Sequence, residues 1–300
     1  METTAPAPLY EIVRETDVPY GEAPGFWTEA PVRSPFPIFK MMRIFGRRRN
    51  LPLTMDLYVP VTDQAESRPL LLMMHGGAFF IGNKGESGQV AWCRHFASLG
   101  YVAASINYRL GFRLSAKGIR QAEQDALEDA DCALACLMGR KDLRIDPQRV
   151  FVAGTSAGAV TALNLAYGLY GDRPMDGFRP KLGAGFRIRA VGDLWGYVRD
   201  LDVLERARIP IIAFQSEKDP VVPFDSGYPL KAKWFAGKVY GTKATCERAA
   251  ALGICCRHYP CPEERHKLHL DESWQLTPRF YEIRDKMASF FAEILESDIV

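Results

Sequence analysis

Excess charge of either sign is missing from these 300 residues: 38 lysines and arginines face 36 acidic residues, a formal net charge of +2. A surface so balanced projects no strong field toward nucleic acid or an anionic membrane, and the one basic block, Arg47-Arg48-Arg49, reads as a solvated turn. No apolar run approaches the ~20 residues of a membrane span. The first twenty residues, METTAPAPLYEIVRETDVPY, lack the basic and apolar regions of a signal peptide. A cytoplasmic location is expected, with secretion left open if a leader was trimmed. Paired cysteine spacing is missing too. Seven cysteines, at 93, 132, 136, 246, 255, 256 and 261, form neither an even disulfide framework nor a metal-ligand pattern. A zinc site from Cys255, Cys256, His258 and Cys261 is disfavoured because neighbouring strand residues point to opposite faces. No metal or organic cofactor is expected.

What is present is alternation. Residues 1–37 carry seven prolines and little periodicity and are expected to be an irregular arm, with one domain over 38–300. FKMMRIF and LPLTMDLYVP flank GRRRN and predict an antiparallel pair of strands. From residue 69 onward, short apolar runs (PLLLMMH, YVAASINY, RVFVAG, FRIRAVG, IPIIAFQ, CCRHYP) alternate with helical patterns, including a long one over 117–138 with Ile119, Ala122, Ala126, Ala130, Leu134 and Leu137 on one face. Continuous apolar strands separated by helices predict an α/β domain: a mostly parallel, twisted sheet covered on both faces.

In such a sheet, functional groups collect at the carboxyl ends of the strands, and four ends carry chemistry. MMHGGAFFIG places two consecutive glycines, with exposed amides, after one strand. GTSAG, residues 154–158, sits between a strand and an alanine-rich helix, the setting of a strained G-x-S-x-G nucleophile turn. FQSEKDPVVPFD offers Glu217, Asp219 and Asp225, with Pro220 stiffening the loop after Asp219. PEERHKLHLDE offers His266 and His269. Each feature alone has a bland reading: a tight loop, a small packing serine, a solvated acid, a surface histidine. Four strand ends bearing serine, acid and histidine in that chain order favour nucleophilic catalysis.

With these strings (HGGAF, NYRLG, IDPQRVFVAGTSAGA, KDPVVP, HKLHLDE) the chain resembles the α/β-hydrolase superfamily. In particular it is similar to small esterases of the hormone-sensitive-lipase and carboxylesterase groups, over residues 40–295. The resemblance implies Ser156 as nucleophile, Asp219 as triad acid and His266, ahead of His269, as base, although Arg265 stands where such families usually carry glycine. It also implies an oxyanion hole from the amides of Gly77, Ala78 and Ala157, with His75 structural and Ala78 where relatives often have a third glycine. The implied activity is ester hydrolysis through an acyl-enzyme on a small-molecule substrate. Phe79, Tyr108 and Trp195 are expected to shape the substrate pocket together with the loop 170–186. Short-chain or aromatic acyl esters, including acetyl or feruloyl esters of carbohydrate, are the expected substrates. An amide hydrolase such as an aryl formamidase, or a silent ligand-binding relative, are the alternatives.

Overall fold

The computed structural model describes residues 9–29, 48–172, 179–233 and 237–297. Eight strands make one sheet: β1 (Ile12–Gly25), β2 (Arg49–Pro60), β3 (Arg68–Met74), β4 (Val102–Ile106), β5 (Ile145–Thr155), β6 (Ile188–Leu194), β7 (Ile211–Ser216) and, after a two-stranded ribbon of β8 (Ser226–Gly227) and β9 (Val239–Tyr240), β10 (Cys256–Cys261). Their spatial order is β1-β2-β4-β3-β5-β6-β7-β10. The pairs β1–β2 and β2–β4 are antiparallel, and every later pair in the sheet is parallel.

Period-two side-chain direction splits each central strand between two cores. On one face, Leu70, Leu72 and Met74 of β3 and Val150 and Val152 of β5 pack with Ile119, Ala122 and Ala126 of α2 (Ala116–Gly139) and Val160 of α3 (Ala157–Leu163). Cys246 and Ala249 of α4 (Thr242–Ala251) join that cluster. On the other face, Leu71, Met73, Phe151 and Ala153 meet Trp92 and Phe96 of α1 (Ser87–Ser98) and Phe280, Ile283 and Phe291 of α5 (Pro278–Glu296). Strands β3, β4 and β7 are buried along their whole length, which is why they read as unbroken apolar runs. Ser115 caps α2 by accepting from the Gly118 amide. Thr277 does the same for α5 through Phe280, with Pro278 in the first helical turn where a missing N–H costs nothing. No described helix is long and apolar enough to cross a membrane.

The expectation of an irregular segment over 1–37 is corrected for residues 12–25. They form β1, paired with β2 from Ile12 opposite Pro60 to Gly25 opposite Arg49, with two register shifts on the way. Pro19 and Pro24 are tolerated because β1 is the edge strand and its outer N–H positions need no ladder partner. The strand is tied to the domain: Tyr20 Oη donates to the Asn107 carbonyl at 2.6 Å, and Arg14 and Lys84 converge on the buried Asp56. The antiparallel pair is therefore β1 with β2; the expected partner strand at 39–45 lies outside the described residues.

Candidate active site

Ser156 occupies the turn between β5 and α3 with φ 51° and ψ −115°, a conformation unfavourable for any residue with a side chain. Its neighbours explain how the turn closes. A Cβ on Gly154 would overlap the backbone of Gly158, and a Cβ on Gly158 would overlap the Met74 carbonyl. Both glycines are thus steric requirements of the β3–β5–α3 junction rather than features of a flexible loop.

The Ser156 hydroxyl lies 2.8 Å from His266 Nε2. On the other side of the ring, His266 Nδ1 is 2.8 Å and 3.0 Å from the two oxygens of Asp219. The Asp219 carboxylate is wholly buried. It is fixed by its own loop, accepting from the amides of Val221 at 2.8 Å and Val222 at 3.0 Å and from Gln215 Nε2 at 3.2 Å. Of the other two acids on this stretch, Glu217 is exposed, and Asp225 pairs with Lys243 on the surface.

The loop after β3 faces this line. Gly77 has φ 116°, and a Cβ there would overlap the Ile81 carbonyl, so glycine is obligatory; Ala78 and Phe79 follow with φ 53° and 59°. The amides of Gly77 and Ala78 donate to no backbone carbonyl among the described residues. Ala157, the first residue of α3, has the free N–H that every helix start carries. His75 underpins the loop. Its ring stacks on Tyr108 at 4.3 Å, its Nδ1 donates to the Gly76 carbonyl at 2.7 Å, and Tyr108 Oη donates to the His75 carbonyl at 2.7 Å. Burial lowers the His75 pKa to about 4, so the ring is a neutral strut.

A cavity of about 180 Å³ opens onto Ser156, His266, Gly77 and Ala78. Trp195 lines it. Phe79 and Tyr108 do not: both are buried in the core on the α2 face of the sheet, where Tyr108 braces the loop after β3 and Phe79 packs edge-on against Tyr108. Of the expected pocket segment 170–186, residues 173–178 lie outside the described residues. The wall also contains His269, weighed above only as an alternative base, and residues that sequence reasoning passed over: Ile81, Glu86, Val221, Lys267, Leu270 and Trp274. Trp274 was findable as an aromatic inside the polar run DESWQL. It is half exposed, with Lys267 Nζ 3.7 Å from its ring centre. Burial raises the Glu86 pKa to about 7 against the opposing pull of Lys267, whose own pKa burial lowers.

His269 stands apart from the Ser156–His266–Asp219 line. It is buried between Trp92 and Trp195, ring centres 5.0 Å and 5.1 Å away, each stacked at 27°. Burial, reinforced by the charges of Lys267, His266 and Arg265, lowers its pKa to about 3.

Comparison with known proteins agrees with this architecture. The model of the BD-FAE family matches residues 55–207, from β2 to beyond β6. The chain belongs to the BD-FAE family. Among curated relatives, gut esterase 1 of Caenorhabditis elegans is 30% identical over 121 residues, 39% of this chain and 21% of that protein. The chain thus aligns with only about a fifth of that relative's length. Among solved structures, esterase B of Lactobacillus rhamnosis inhibited by a C4-C4 tributyrin phosphonate superposes with a TM-score of 0.59 at 17% identity, over 96% of this chain and 88% of that one. Butyrate-bound Est2 of Thermogutta terrifontis gives a TM-score of 0.61 at 17% identity, over 83% and 92%. At these identities the likeness is one of fold. This BD-FAE family member has the α/β-hydrolase fold, with its sheet, helical layers and antiparallel N-terminal strands.

Proposed function

We propose that the protein is a serine carboxylic-ester hydrolase in which Ser156 is the nucleophile, His266 the general base and acid, and Asp219 the group that orients His266. The observation that carries this reading is the hydrogen-bonded line from Asp219 through His266 to Ser156, with two steps of 2.8 Å, ending at a cavity beside otherwise unengaged backbone amides. His266 Nε2 takes the hydroxyl proton as Ser156 Oγ attacks the ester carbonyl. Asp219 stabilises the imidazolium and keeps the proton on Nδ1. The tetrahedral oxyanion is received by the amides of Gly77, Ala78 and Ala157, each such donor contributing roughly 10²–10³ in rate where one has been removed from a comparable enzyme. His266 then protonates the departing alcohol, and water, activated by the same imidazole, releases the acid.

The cavity argues for a small substrate. Its volume of about 180 Å³ is below the ~300 Å³ at which drug-sized ligand sites begin. A short acyl chain or a single ring fits that volume. The butyrate and tributyrin-derived ligands named for the two structural neighbours point the same way.

A fluorophosphonate probe tests the reading. Wild-type protein is labelled at Ser156 and turns over p-nitrophenyl acetate, and Ser156→Ala abolishes both. Folded protein that is neither labelled nor active on any ester overturns it. Loss of labelling in His269→Ala but not in His266→Ala overturns the choice of base.

A further inference from the structure

The mouth of the cavity beside Ser156 carries a residue whose backbone is costly to hold. Trp274, in the loop between β10 and α5, has φ 61°, a left-handed conformation that a bulky side chain rarely adopts. It is 49% exposed and lines the cavity rather than the core. The loop around it is closely tied. Leu270 bridges to Leu276, and Asp271 Oδ1 accepts from the amides of Ser273 at 2.8 Å and Gln275 at 2.9 Å. Ser87 Oγ of α1 donates to the Trp274 carbonyl at 3.0 Å. A strained, half-exposed aromatic in so well bonded a loop is held there to present its ring.

What the ring holds is a positive charge. Lys267 Nζ lies 3.7 Å from the Trp274 ring centre, and Lys267, directly after His266 in the chain, lines the same cavity and is open to solvent. The ammonium forms no ion pair with a carboxylate among the described residues. An aspartate beneath it would fix the lysine and cancel its charge, whereas an aromatic ring fixes it and leaves the charge in place. Partial burial lowers the Lys267 pKa, so the ammonium has lost some of its water and gains from an anionic partner. Glu86, the one carboxylate among the described residues on this wall, opposes such a partner. Burial pushes its pKa up to about 7 despite Lys267, which weakens that opposition near neutral pH.

Resting on the hydrolase reading above, we propose that Lys267, held on the ring of Trp274, is a specificity determinant that binds a carboxylate carried by the substrate. The substrate class is then a small ester bearing an anionic group, on its acyl or its alcohol part, rather than a neutral alkyl ester. One cavity of about 180 Å³ is bounded by both Ser156 and Lys267, so a molecule that fills it with its ester at the hydroxyl brings its far end to the ammonium. One side of the ammonium rests on the ring, and the N–H groups pointing away from it donate to the carboxylate. Trp274 is a positioning residue that acts through Lys267. A cavity with the same apolar lining and no fixed cation has the opposite preference, because it would strip water from the anion and return nothing.

The test compares each carboxylate with its carboxamide, a neutral group of the same shape, on the intact protein at pH 8. The alcohol arm sets acetoxyacetate against acetoxyacetamide, and the acyl arm sets monomethyl succinate against methyl succinamate, each rate normalised to hydroxide-catalysed hydrolysis. In wild type, the carboxylate of at least one pair is favoured in kcat/KM by roughly tenfold, the worth of one charge-assisted hydrogen bond. The arm that responds identifies which side of the ester faces Lys267. The preference shrinks as sodium chloride is raised. In Lys267→Met the ratio falls to one or below whatever the absolute rates, and Lys267→Arg, which keeps the charge and stacks on the same ring, recovers part of it. Glu86→Gln, which removes the opposing charge, raises the ratio.

If wild type favours the carboxamide in both arms, the proposal is overturned without recourse to any variant. An equal change across all four esters in Lys267→Met also overturns it, and makes the lysine a support of its loop. A ratio that falls in Glu86→Gln counts against it in the same way. Should the methionine variant not fold, Lys267→Gln gives the same ratio. Folded protein that is unlabelled by fluorophosphonate and inactive on every ester overturns the hydrolase reading itself. An enzyme labelled at Ser156 and active on p-nitrophenyl acetate, yet favouring neither anion, overturns only this proposal.

Discussion

Asp219 meets His266 with both carboxylate oxygens, Oδ2 at 2.8 Å and Oδ1 at 3.0 Å from Nδ1, and the same Oδ1 receives two loop amides. The acid is anchored independently of the imidazole that it orients. Asp219→Asn should therefore leave the loop in place while presenting His266 with an amide in place of a carboxylate. We expect kcat to fall roughly 10⁴-fold with little change in KM. Steady-state kinetics with a short-chain p-nitrophenyl ester would measure it, and a loss below tenfold would remove Asp219 from the relay.

Ala78 sits at φ 53° in the loop after β3, where glycine is at ease and alanine is not. Replacing it by glycine relieves about 1 kcal/mol of backbone strain and costs a similar amount through the freer unfolded chain. Stability should move by less than about 1 kcal/mol in a urea titration. The space left by the methyl, which is exposed at the cavity, should show instead as a gain on bulky alcohols. The measurement is the ratio of tert-butyl to n-butyl acetate hydrolysis, expected to rise in Ala78→Gly.

Gly158→Ala is expected to be far more damaging than its single methyl suggests. The new Cβ would overlap the Met74 carbonyl and approach the His75 carbonyl at 2.7 Å, neither of which is a flexible side-chain end. Forced overpacking of this kind costs about 1–3 kcal/mol or more. The loss would appear as a lower urea midpoint at unchanged slope, with Ser156 labelling slowed because the turn itself is displaced.

Asp193, at the end of β6, is fully buried, with Oδ1 accepting from the Gly196 amide at 2.8 Å and Oδ2 unpaired among the described residues. Burial raises its pKa from 3.8 to about 7, against the smaller opposing effect of the Gly196 bond. A raised folded-state value means that the stabilising form is the protonated one. Its contribution is complete below pH 3.8 and is lost progressively as pH climbs through about 7. That span corresponds to roughly 4 kcal/mol. Asp193→Asn removes the titration, so its stability relative to wild type should improve between pH 4 and pH 8. Parallel urea midpoints across that range would contradict the assignment.

The sheet's central strands and the long helices were legible because their patterns are set locally: β3, buried on both faces, is an unbroken apolar run, and the expected helix 117–138 is α2 to within a residue at each end. The serine turn was legible because its steric demands are written in Gly154 and Gly158. Harder were features decided by partners distant in the chain. His266 and His269 sit three residues apart in one loop, yet His266 bonds Asp219 and Ser156 while His269 is clamped between Trp92 of α1 and Trp195 at the end of β6. Phe79 and Tyr108 neighbour motif residues, yet their side chains turn into the core on the α2 face, a direction no linear pattern states. In β1 the two prolines and the exposed edge obscured an alternation that pairing with β2 restores.

The site has no local folding unit. Its hydroxyl, carboxylate, imidazole, amides and tryptophan wall are delivered by the ends of β5, β7, β10, β3 and β6, five strands whose segments span residues 68–261. No subset of the chain can assemble it before the parallel sheet is registered from β3 to β10. Turnover is therefore a gauge of global order: during unfolding it should vanish together with near-ultraviolet tertiary signal, and no partly folded form should retain it.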